Sequence, residues 1–333
     1  MYVFNVLVST AICMVSEFQF IENIKSKYGL DKVGDDCAVL PKDAETDLLL
    51  TADLLIEEID FRLEWTTPEF LGHKALAVSL SDIAAMGGEP KWAMLSIGVP
   101  ESLWNSDFID RFYEGWFILA NKYGIELIGG DISRSPDKLV IDSIVGGQVT
   151  HGKAILRSGA KLGDAIVMTG TLGGSAVGLK LIENFGSANE NGGDWRQEPC
   201  LSHLQPWPQL KTGIYLQNNG LANAMIDLSD GMSSDLAHLC HRSSVGAHII
   251  AEMIPINENV KEYASAFDDQ LDLALNGGED FELLFTTYKE NISRLDDKVF
   301  TIIGEITPNI GIIELIRDGK SEVLHAKGYK HFS

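Results

Sequence analysis

Acidic residues recur in this sequence beside glycines and at the ends of predicted helices and strands. Carboxylate oxygens, without histidine or cysteine, are the donors that Mg²⁺ prefers, and bound Mg²⁺ typically joins protein carboxylates to substrate phosphates. Taken together, six acidic motifs predict such a site, although each alone is also typical of an Asp-Gly turn that binds no metal. The motifs are Asp35-Asp36 after Gly34, Asp53 at a strand end, Asp82 at a helix end, Asp131 after Gly129-Gly130, Asp227 with Asp230, and Glu279-Asp280 after Gly277-Gly278.

The stretch IDLSDG is the motif least easily explained as a plain turn. An apolar strand runs directly into Asp227 and Asp230, with Ser229 between them. Strand ends are where α/β proteins place their sites. The usual nucleotide and hydrolase signatures are absent from the sequence, and GTLGGS fits a plain glycine-rich turn as well as a phosphate loop. Arg157, in the basic stretch ILRSGAK, is a candidate to neutralise a phosphate but is equally typical of a surface arginine.

Asp82 is predicted to lie in the last turn of a helix over residues 67–86. Thr67 is a suitable N-cap, Pro68 suits the first helical position, and Gly87-Gly88 followed by Pro90 end the helix. A carboxylate in the last turn faces the negative end of the helix dipole, at a cost of ~0.3–1 kcal/mol. An aspartate there indicates a compensating cation.

Length and composition limit the classes of function. A chain of 333 residues is long enough for two domains with buried cores. A net charge of −22 repels nucleic acid and anionic membranes, so neither is expected as a partner. The four cysteines form no CxxC motif, which argues against a zinc site or disulfide framework and favours a reducing cytoplasm.

The first thirteen residues are apolar but contain no lysine or arginine. A signal peptide needs a basic leading region and a membrane span needs ~20 apolar residues, so neither is predicted. Met14 is the more natural start, and we expect residues 1–13 to be dispensable.

Helices and strands alternate along the chain, which predicts α/β or α+β units. A polar, glycine-punctuated stretch near residues 150–162 predicts a boundary between domains 14–150 and 151–333. Further helices are predicted over 17–28, with Ser16 as cap, and over 107–123, 176–183, 209–218 and 232–242. Strands are predicted over 47–55, 92–99, 125–128, 139–149, 165–169, 222–228, 247–251, 281–285, 300–306 and 310–315, and a long loop over 186–208.

Eight stretches in family order resemble the thiamine-monophosphate kinase family, within the superfamily of aminoimidazole ribonucleotide synthetase and selenophosphate synthetase. They extend from about Ser16 to Phe332, and their combination is specific although no single motif is. The stretches are GDDCAVL, TADLL, HKALAVSLSDIAAMGGEP, LIGGDISRS, GKAILRSGAKLGD, IDLSDGMSSDL, LNGGEDFELLF and KGYKHF.

The resemblance implies a mixed α/β (α+β), two-domain PurM-like fold. The N-terminal domain would pair with its copy in a homodimer through a β-barrel-like interface, and the C-terminal domain would be α/β. ATP would lie between the domains, with several Mg²⁺ ions joining its phosphates to carboxylates, and a monovalent cation is possible. Carried over by motif, the metal residues are Asp36, Thr51, Ala52, Asp53, Asp82, Asp131, Asp227 and Asp230. ATP contacts are Gly130, Asp131, Arg157, Ser229 and, without a motif of its own, Glu114. Substrate contacts are Asp60, Glu279 and Tyr329.

The sequence departs from the family pattern at three places. Ala52 stands where the family usually has threonine, so a metal contact there would use the backbone carbonyl. GGDI replaces GGDT, with Ser133 one step later. Asp60 precedes Phe61 where the family often has histidine, which puts the contact with the substrate in question.

The predicted activity is ATP-dependent phosphorylation of thiamine monophosphate to thiamine diphosphate by direct in-line transfer. The acceptor phosphate is already a nucleophile, so no covalent or general-base residue is assigned, and catalysis would rest on positioning and cations. Two alternatives stay open. One is another ATP-using member of the superfamily, such as selenophosphate synthetase, which would need a reactive cysteine. The other is a non-catalytic protein that binds divalent cations or nucleotides.

Overall fold

The computed structural model describes residues 17–185, 198–329 and 331. The predictions for residues 1–13, for the Ser16 cap and for the end of the KGYKHF motif at Phe332 lie outside these residues. In the described ranges, no helix has both the length and the apolar character needed to cross a membrane.

Ten α-helices and twelve strands occur in the described residues, with three short 3-10 helices. The helices are α1 Glu17–Tyr28, α2 Pro68–Ala85, α3 Glu101–Trp104, α4 Phe108–Tyr123, α5 Gly174–Phe185, α6 Glu198–Leu204, α7 Leu210–Asn219, α8 Met232–Ser243, α9 Glu258–Tyr263 and α10 Phe267–Asn276. The strands are β1 Ala38–Pro41, β2 Thr46–Ile56, β3 Glu89–Val99, β4 Glu126–Arg134, β5 Val140–Thr150, β6 Ala165–Thr169, β7 Ala224–Asp227, β8 Gly246–Ile250, β9 Leu283–Thr287, β10 Phe300–Thr307, β11 Ile313–Arg317 and β12 Lys320–Val323. The 3-10 helices are Leu63–Trp65, Ala251–Met253 and Lys289–Arg294.

The first five strands form one sheet in the order β1-β2-β5-β3-β4. All its pairs are antiparallel except β3 with β4, which is parallel. Helix α2 packs on this sheet and α4 packs on α2. The two helices approach closely because Gly72 and Gly115 lie where they cross. A Cβ at either glycine would lie 1.9 Å from a backbone oxygen of the other helix.

The remaining strands form a second sheet in the order β12-β11-β8-β10-β6-β9-β7. Helix α2 also contacts β7, the edge strand of this sheet. One apolar core accordingly includes residues of both sheets, for example Ile83 of α2 with Met225 of β7 and Phe285 of β9. A second core lies between the seven-stranded sheet and helices such as α8, through Leu236 and Leu239. Helix α2 therefore packs against both sheets and connects them.

The mixed α/β architecture agrees with the prediction, and Thr67 caps α2 as expected by accepting a hydrogen bond from the amide of Phe70. No closed barrel occurs among the described strands, because β1 and β4 are the edges of the first sheet. The predicted β-barrel-like pairing of two copies stays a prediction. Two expectations need correction. The predicted loop over 186–208 includes helix α6. Asp53 lies within β2 and not at its end.

The Gly129-Gly130-Asp131 stretch was expected to follow a strand, and it lies within β4 instead. Pairing of β4 with β3 carries the strand through to Arg134. Gly130 permits this pairing because its φ is 145° and because a Cβ there would lie 1.9 Å from the carbonyl oxygen of Leu95. The glycine serves the strand pairing and does not end the strand.

Candidate active site

Three carboxylates from three separate elements meet inside the protein. Asp36 lies in the turn before β1, Asp82 in the last turn of α2, and Asp227 at the end of β7. One oxygen of each lies within 4.8 Å of the others, so the three could share one cation. Asp36 is 8% exposed and Asp227 is 2% exposed. The structure thus brings together three of the predicted metal residues, which lie far apart in the sequence. We call these three residues the carboxylate cluster.

The carboxylate cluster is electrostatically costly without a cation. Burial, followed by the charges of Asp53 and Asp227, raises the pKa of Asp82 well above its ordinary value. Burial and then the charge of Asp36 raise the pKa of Asp227 to about 7. Burial raises the pKa of the neighbouring Asp53 to about 6. Low-dielectric surroundings and like charges both disfavour ionised carboxylates, and a bound cation removes both penalties.

Hydroxyl groups orient these carboxylates. Thr51 donates to Asp82, Ser79 donates to Asp53 at 2.7 Å, and Ser81 donates to Asp227 at 2.6 Å. Ser79 and Ser81 both lie on α2 and are fully buried. Sequence reasoning missed these two serines. Their signal is the polar run SLSD within the apolar second half of the helix, where buried hydroxyls need partners.

Arg157 places a positive charge directly beside the carboxylate cluster. Its guanidinium donates to Oδ1 of Asp36 at 2.5 Å and 3.1 Å, and its backbone amide donates to Asp35 at 2.8 Å. Burial alone would lower the pKa of Arg157, but the charges of Asp36 and Asp227 outweigh burial and raise it. The arginine predicted to meet a phosphate is therefore held beside the carboxylates, not on the surface.

The donor set fits Mg²⁺. The carboxylate cluster offers only oxygen atoms, with the hydroxyl of Thr51 alongside. Oδ2 of Asp36 is buried and has no hydrogen-bond partner among the residues that the structure describes. Because buried polar atoms are almost always paired, this unpaired oxygen is a ready ligand for a cation.

The other predicted metal and ATP residues lie outside the carboxylate cluster. Gly130 and Asp131 are exposed on β4, Ala52 is exposed on β2, and Glu114 is exposed on α4. Asp230 is half-buried in the turn after β7, and burial followed by the charge of Glu17 raises its pKa. Ser229 lies in the same turn, and its carbonyl accepts from the amide of Glu279 at 2.7 Å.

A second group of predicted residues gathers beside this turn. Tyr329 donates its backbone amide to the carbonyl of Asp230 at 3.0 Å. Burial, followed by the charges of Asp60 and Glu279, raises the pKa of Tyr329. Burial also raises the pKa of Asp60, and Glu279 adds to that effect. The three predicted substrate residues therefore share one acidic, aromatic neighbourhood. We call these three residues the substrate group.

The GTLGGS stretch is a capped helix start. The carboxylate of Asp280 accepts from the amides of Gly173 at 2.7 Å and Ser175 at 3.1 Å, at the beginning of α5. An anion at a helix N-terminus is stabilised by the free amides and the helix dipole. Because the protein's own carboxylate already occupies these amides, the plain-turn interpretation of GTLGGS fits better than the phosphate-loop one.

Two family models match the chain. The model described as AIR synthase related protein, N-terminal domain, matches residues 34–149, and the corresponding C-terminal domain model matches residues 161–313. The chain is 41% identical over 311 residues to the thiamine-monophosphate kinase of Buchnera aphidicola subsp. Acyrthosiphon pisum, covering 90% of this chain and 92% of the relative. It is 38% identical over 308 residues to that of Escherichia coli (strain K12), covering 90% and 91%.

Solved structures agree with these sequence relationships. The structure described as "AaThiL complexed with AMPPCP and TMP" superposes with a TM-score of 0.84 at 35% identity, covering 96% of this chain and 97% of that chain. A thiamine-monophosphate kinase from Stenotrophomonas maltophilia K279a superposes with a TM-score of 0.74 at 36% identity, covering 92% and 98%. Hydrogenase maturation protein HypE, at 18% identity and a TM-score of 0.66, shares the fold. The chain therefore belongs to the thiamine-monophosphate kinase family, within the AIR synthase related proteins.

Proposed function

We propose that the chain catalyses ATP-dependent phosphorylation of thiamine monophosphate to thiamine diphosphate. The observation that carries this proposal is that the carboxylate cluster and the substrate group both contact the turn that follows β7. Asp227 begins the IDLSDG turn, and the carbonyls of Ser229 and Asp230 hold Glu279 and Tyr329 beside it. The proposed cation and phosphate region and the proposed substrate region would thus be connected through the same turn.

The residues that would hold Mg²⁺ are the carboxylate cluster and Thr51, with Asp53, Asp131, Asp230 and the carbonyl of Ala52 proposed as further ligands. Bound Mg²⁺ would supply the charge that offsets the phosphates of ATP and of the acceptor. We propose that four residues contact ATP, namely Gly130, Asp131, Arg157 and Ser229. Glu114 would lie beside the adenine ring of ATP. Asp60, Glu279 and Tyr329 would contact thiamine monophosphate.

The described side chains have no proposed role as a covalent nucleophile. An acceptor phosphate is itself anionic and nucleophilic, so the protein's task is to align it with ATP and to balance charge. Arg157 can serve this purpose because its guanidinium already faces the carboxylate cluster. The relative solved with AMPPCP and TMP, an ATP analogue and thiamine monophosphate by these abbreviations, supports the assignment of both ligands.

We also propose a cytoplasmic homodimer with domains 14–150 and 151–333. Strand β4 is a free edge and carries exposed apolar side chains, Ile128 at 52% and Ile132 at 47%. Exposed apolar edges favour association with another chain.

One observation argues against the selenophosphate synthetase alternative. That chemistry needs a reactive cysteine, and thiolate reactivity requires exposure and a lowered pKa. Cys37, next to the carboxylate cluster, is 2% exposed, and burial followed by the charge of Asp82 raises its pKa well above the ordinary value. Cys37 is therefore in the wrong electrostatic setting for a nucleophile.

The direct test is a phosphoryl-transfer assay with ATP, Mg²⁺ and thiamine monophosphate. We expect thiamine diphosphate and ADP in equal amounts from the unmodified protein. Asp82→Asn should lose activity, whereas Asp297→Asn, at an exposed site, should keep it. A protein that is stabilised by Mg²⁺ and ATP in a thermal-shift experiment but forms no thiamine diphosphate would instead be a binding protein.

A further inference from the structure

Lys74 is a buried lysine on α2 that no predicted role explains. It is 4% exposed, and its ammonium lies 2.8 Å from the carboxylate of Glu279. Within the described residues, Glu279 is the only carboxylate at ion-pair distance from Lys74. Burying an ammonium group is costly unless it is paired, so the pair must form for α2 to pack as it does. Lys74 also lies eight residues before Asp82, about two helical turns away on the same face of α2.

His203 of α6 completes the arrangement. Its Nε2 lies 3.5 Å from the ammonium of Lys74, and its Nδ1 lies 3.1 Å from the carboxylate of Glu279. Burial, and then the charge of Lys74, lowers the pKa of His203 to about 4, so the ring is neutral. Because Nε2 faces a donor, Nδ1 carries the proton and can donate to Glu279. The hydroxyl of Ser175 lies 3.0 Å from the same Nδ1 and limits rotation of the ring.

The backbone of Glu279 is fixed as well. Its φ is 64°, in the left-handed region, and its amide donates to the carbonyl of Ser229 at 2.7 Å. A left-handed backbone at a residue other than glycine is sparsely populated and persists only where surrounding contacts impose it. The side chain of Glu279 stays 30% exposed, and its charge contributes to raising the pKa of both Asp60 and Tyr329.

The charge balance explains why a lysine is needed here. Burial acts to raise the pKa of Glu279, but Lys74 and then His203 outweigh it, and the net pKa is lowered. A carboxylate that is partly buried therefore stays ionised. Thiamine carries a permanent positive charge on its thiazolium ring, and an ionised carboxylate beside an aromatic side chain is complementary to such a cation.

We propose that Lys74, together with His203, is a positioning residue that holds the carboxylate of Glu279 toward the thiamine part of the substrate. This inference rests on the proposed function and deepens it. Lys74 acts through Glu279 and does not contact the transferring phosphoryl group. His203 has no counterpart among the sequence motifs, because it lies in the segment that the sequence reads as a loop.

The test measures steady-state kinetics of Lys74→Met. Loss of the pair should raise the KM for thiamine monophosphate about tenfold or more, while kcat and the KM for ATP change by about twofold or less, since only substrate binding is affected. Lys289→Met is the matched control, because Lys289 forms a 2.7 Å ion pair with Glu305 on an exposed surface. That control should leave all three constants unchanged.

A double-variant comparison separates positioning from direct contact. If Lys74 acts through Glu279, adding Lys74→Met to Glu279→Gln should change the KM for thiamine monophosphate by less than about twofold beyond Glu279→Gln alone. Multiplicative effects, or a loss of kcat with KM unchanged, would overturn the inference and place Lys74 on the phosphates. His203→Gln should give the same KM pattern at smaller size, and it decides the matter if Lys74→Met does not fold.

Calorimetric titration of thiamine monophosphate into each protein without ATP tests this inference separately from the proposed function. Weaker binding by Lys74→Met than by Lys289→Met supports the inference even if the unmodified protein makes no thiamine diphosphate. Equal binding by the two variants contradicts it whether or not phosphoryl transfer is observed.

Discussion

Ser81 donates a 2.6 Å hydrogen bond to Asp227, and this bond joins α2, which packs on the five-stranded sheet, to the last residue of β7 in the seven-stranded sheet. Both residues are almost fully buried. The neighbouring residue, Asp82, contributes to the carboxylate cluster from the same turn of α2. The two halves of the chain therefore meet at the carboxylate cluster, and α2 aligns them.

Ser81→Ala should weaken this junction. Removing a buried donor to a carboxylate is expected to lower the free energy of unfolding by about 1.5–3 kcal/mol. It should also raise the pKa of Asp227 further, because the Ser81 hydrogen bond opposes the effect of burial. Urea unfolding in the presence of EDTA measures the loss. Ser321→Ala is the control, since Ser321 donates to Glu314 at 2.8 Å on the surface and should have little effect. Equal decreases in the free energy of unfolding for the two variants would show that the hydrogen bond to Asp227 stabilises the protein no more than a surface hydrogen bond does.

Glu282→Gln should change how stability depends on pH. Burial raises the pKa of Glu282 from 4.5 to about 7, so the folded protein keeps a proton there that the unfolded chain loses above pH 4.5. Between these values the folded state binds more protons, and stability therefore falls as pH rises through the window. Glutamine does not titrate, and it keeps an oxygen to accept the 2.5 Å hydrogen bond from Thr169.

The measurement is the free energy of unfolding of both proteins at pH 4.5 and pH 8. Relative to the unmodified protein, Glu282→Gln should gain about 1–3 kcal/mol between the two pH values, since one pKa unit corresponds to ~1.4 kcal/mol. Glu305→Gln, at an exposed residue of β10, should show no such gain. A flat difference for Glu282→Gln would mean that Glu282 is ionised in the folded protein at neutral pH.

The sequence carries strong local signals for some of these positions and none for others. Asp82 and Asp227 were predicted at a helix end and a strand end, because caps, glycines and apolar runs are local features. Gly130 and Asp131 were misplaced, because whether a glycine pair ends a strand depends on its pairing with β3. His203 and Lys74 are 129 residues apart, so only tertiary packing brings them together. The hydrogen bond from the GTLGGS turn to Asp280 could not be predicted for the same reason.

Asp60→His should act on the substrate more than on ATP. Asp60 accepts from the amide of Ile56 at 2.8 Å, and its pKa responds to Glu279 and Lys74 after the larger effect of burial. Histidine removes a carboxylate from the substrate group, so the KM for thiamine monophosphate should rise several-fold while the KM for ATP stays nearly constant. Asp43→His is the control, because Asp43 also accepts from turn amides, at 2.8 Å, but in the β1–β2 connection. Equal changes in both KM values, or none, would remove Asp60 from the substrate site.

Asp230→Asn tests the transfer chemistry itself. The substitution keeps the shape of the side chain and removes one charge from the proposed metal ligands. Burial, with Glu17 nearby, already raises the pKa of Asp230, so folding should survive and stability at pH 8 should not fall. Turnover should drop about 100-fold or more, because phosphoryl transfer depends on placed charges, and excess Mg²⁺ should restore it only in part. Asp297→Asn serves as the control for loss of a single charge. Full activity of Asp230→Asn would exclude a role for this carboxylate.

A labelling experiment decides whether the phosphoryl group passes directly from ATP to thiamine monophosphate. With γ-labelled ATP and no thiamine monophosphate, the unmodified protein should retain no covalent label, because no side chain is placed as a nucleophile and the acceptor phosphate can attack ATP in line. Adding thiamine monophosphate should then send the label straight to thiamine diphosphate. Label that stays on the denatured protein, and that moves to thiamine monophosphate when the native protein is chased, would establish a phosphoenzyme. In that case the mechanism would proceed through the labelled residue, which peptide mapping would identify. The effect of Asp230→Asn would then be measured separately on the labelling step and on the release step.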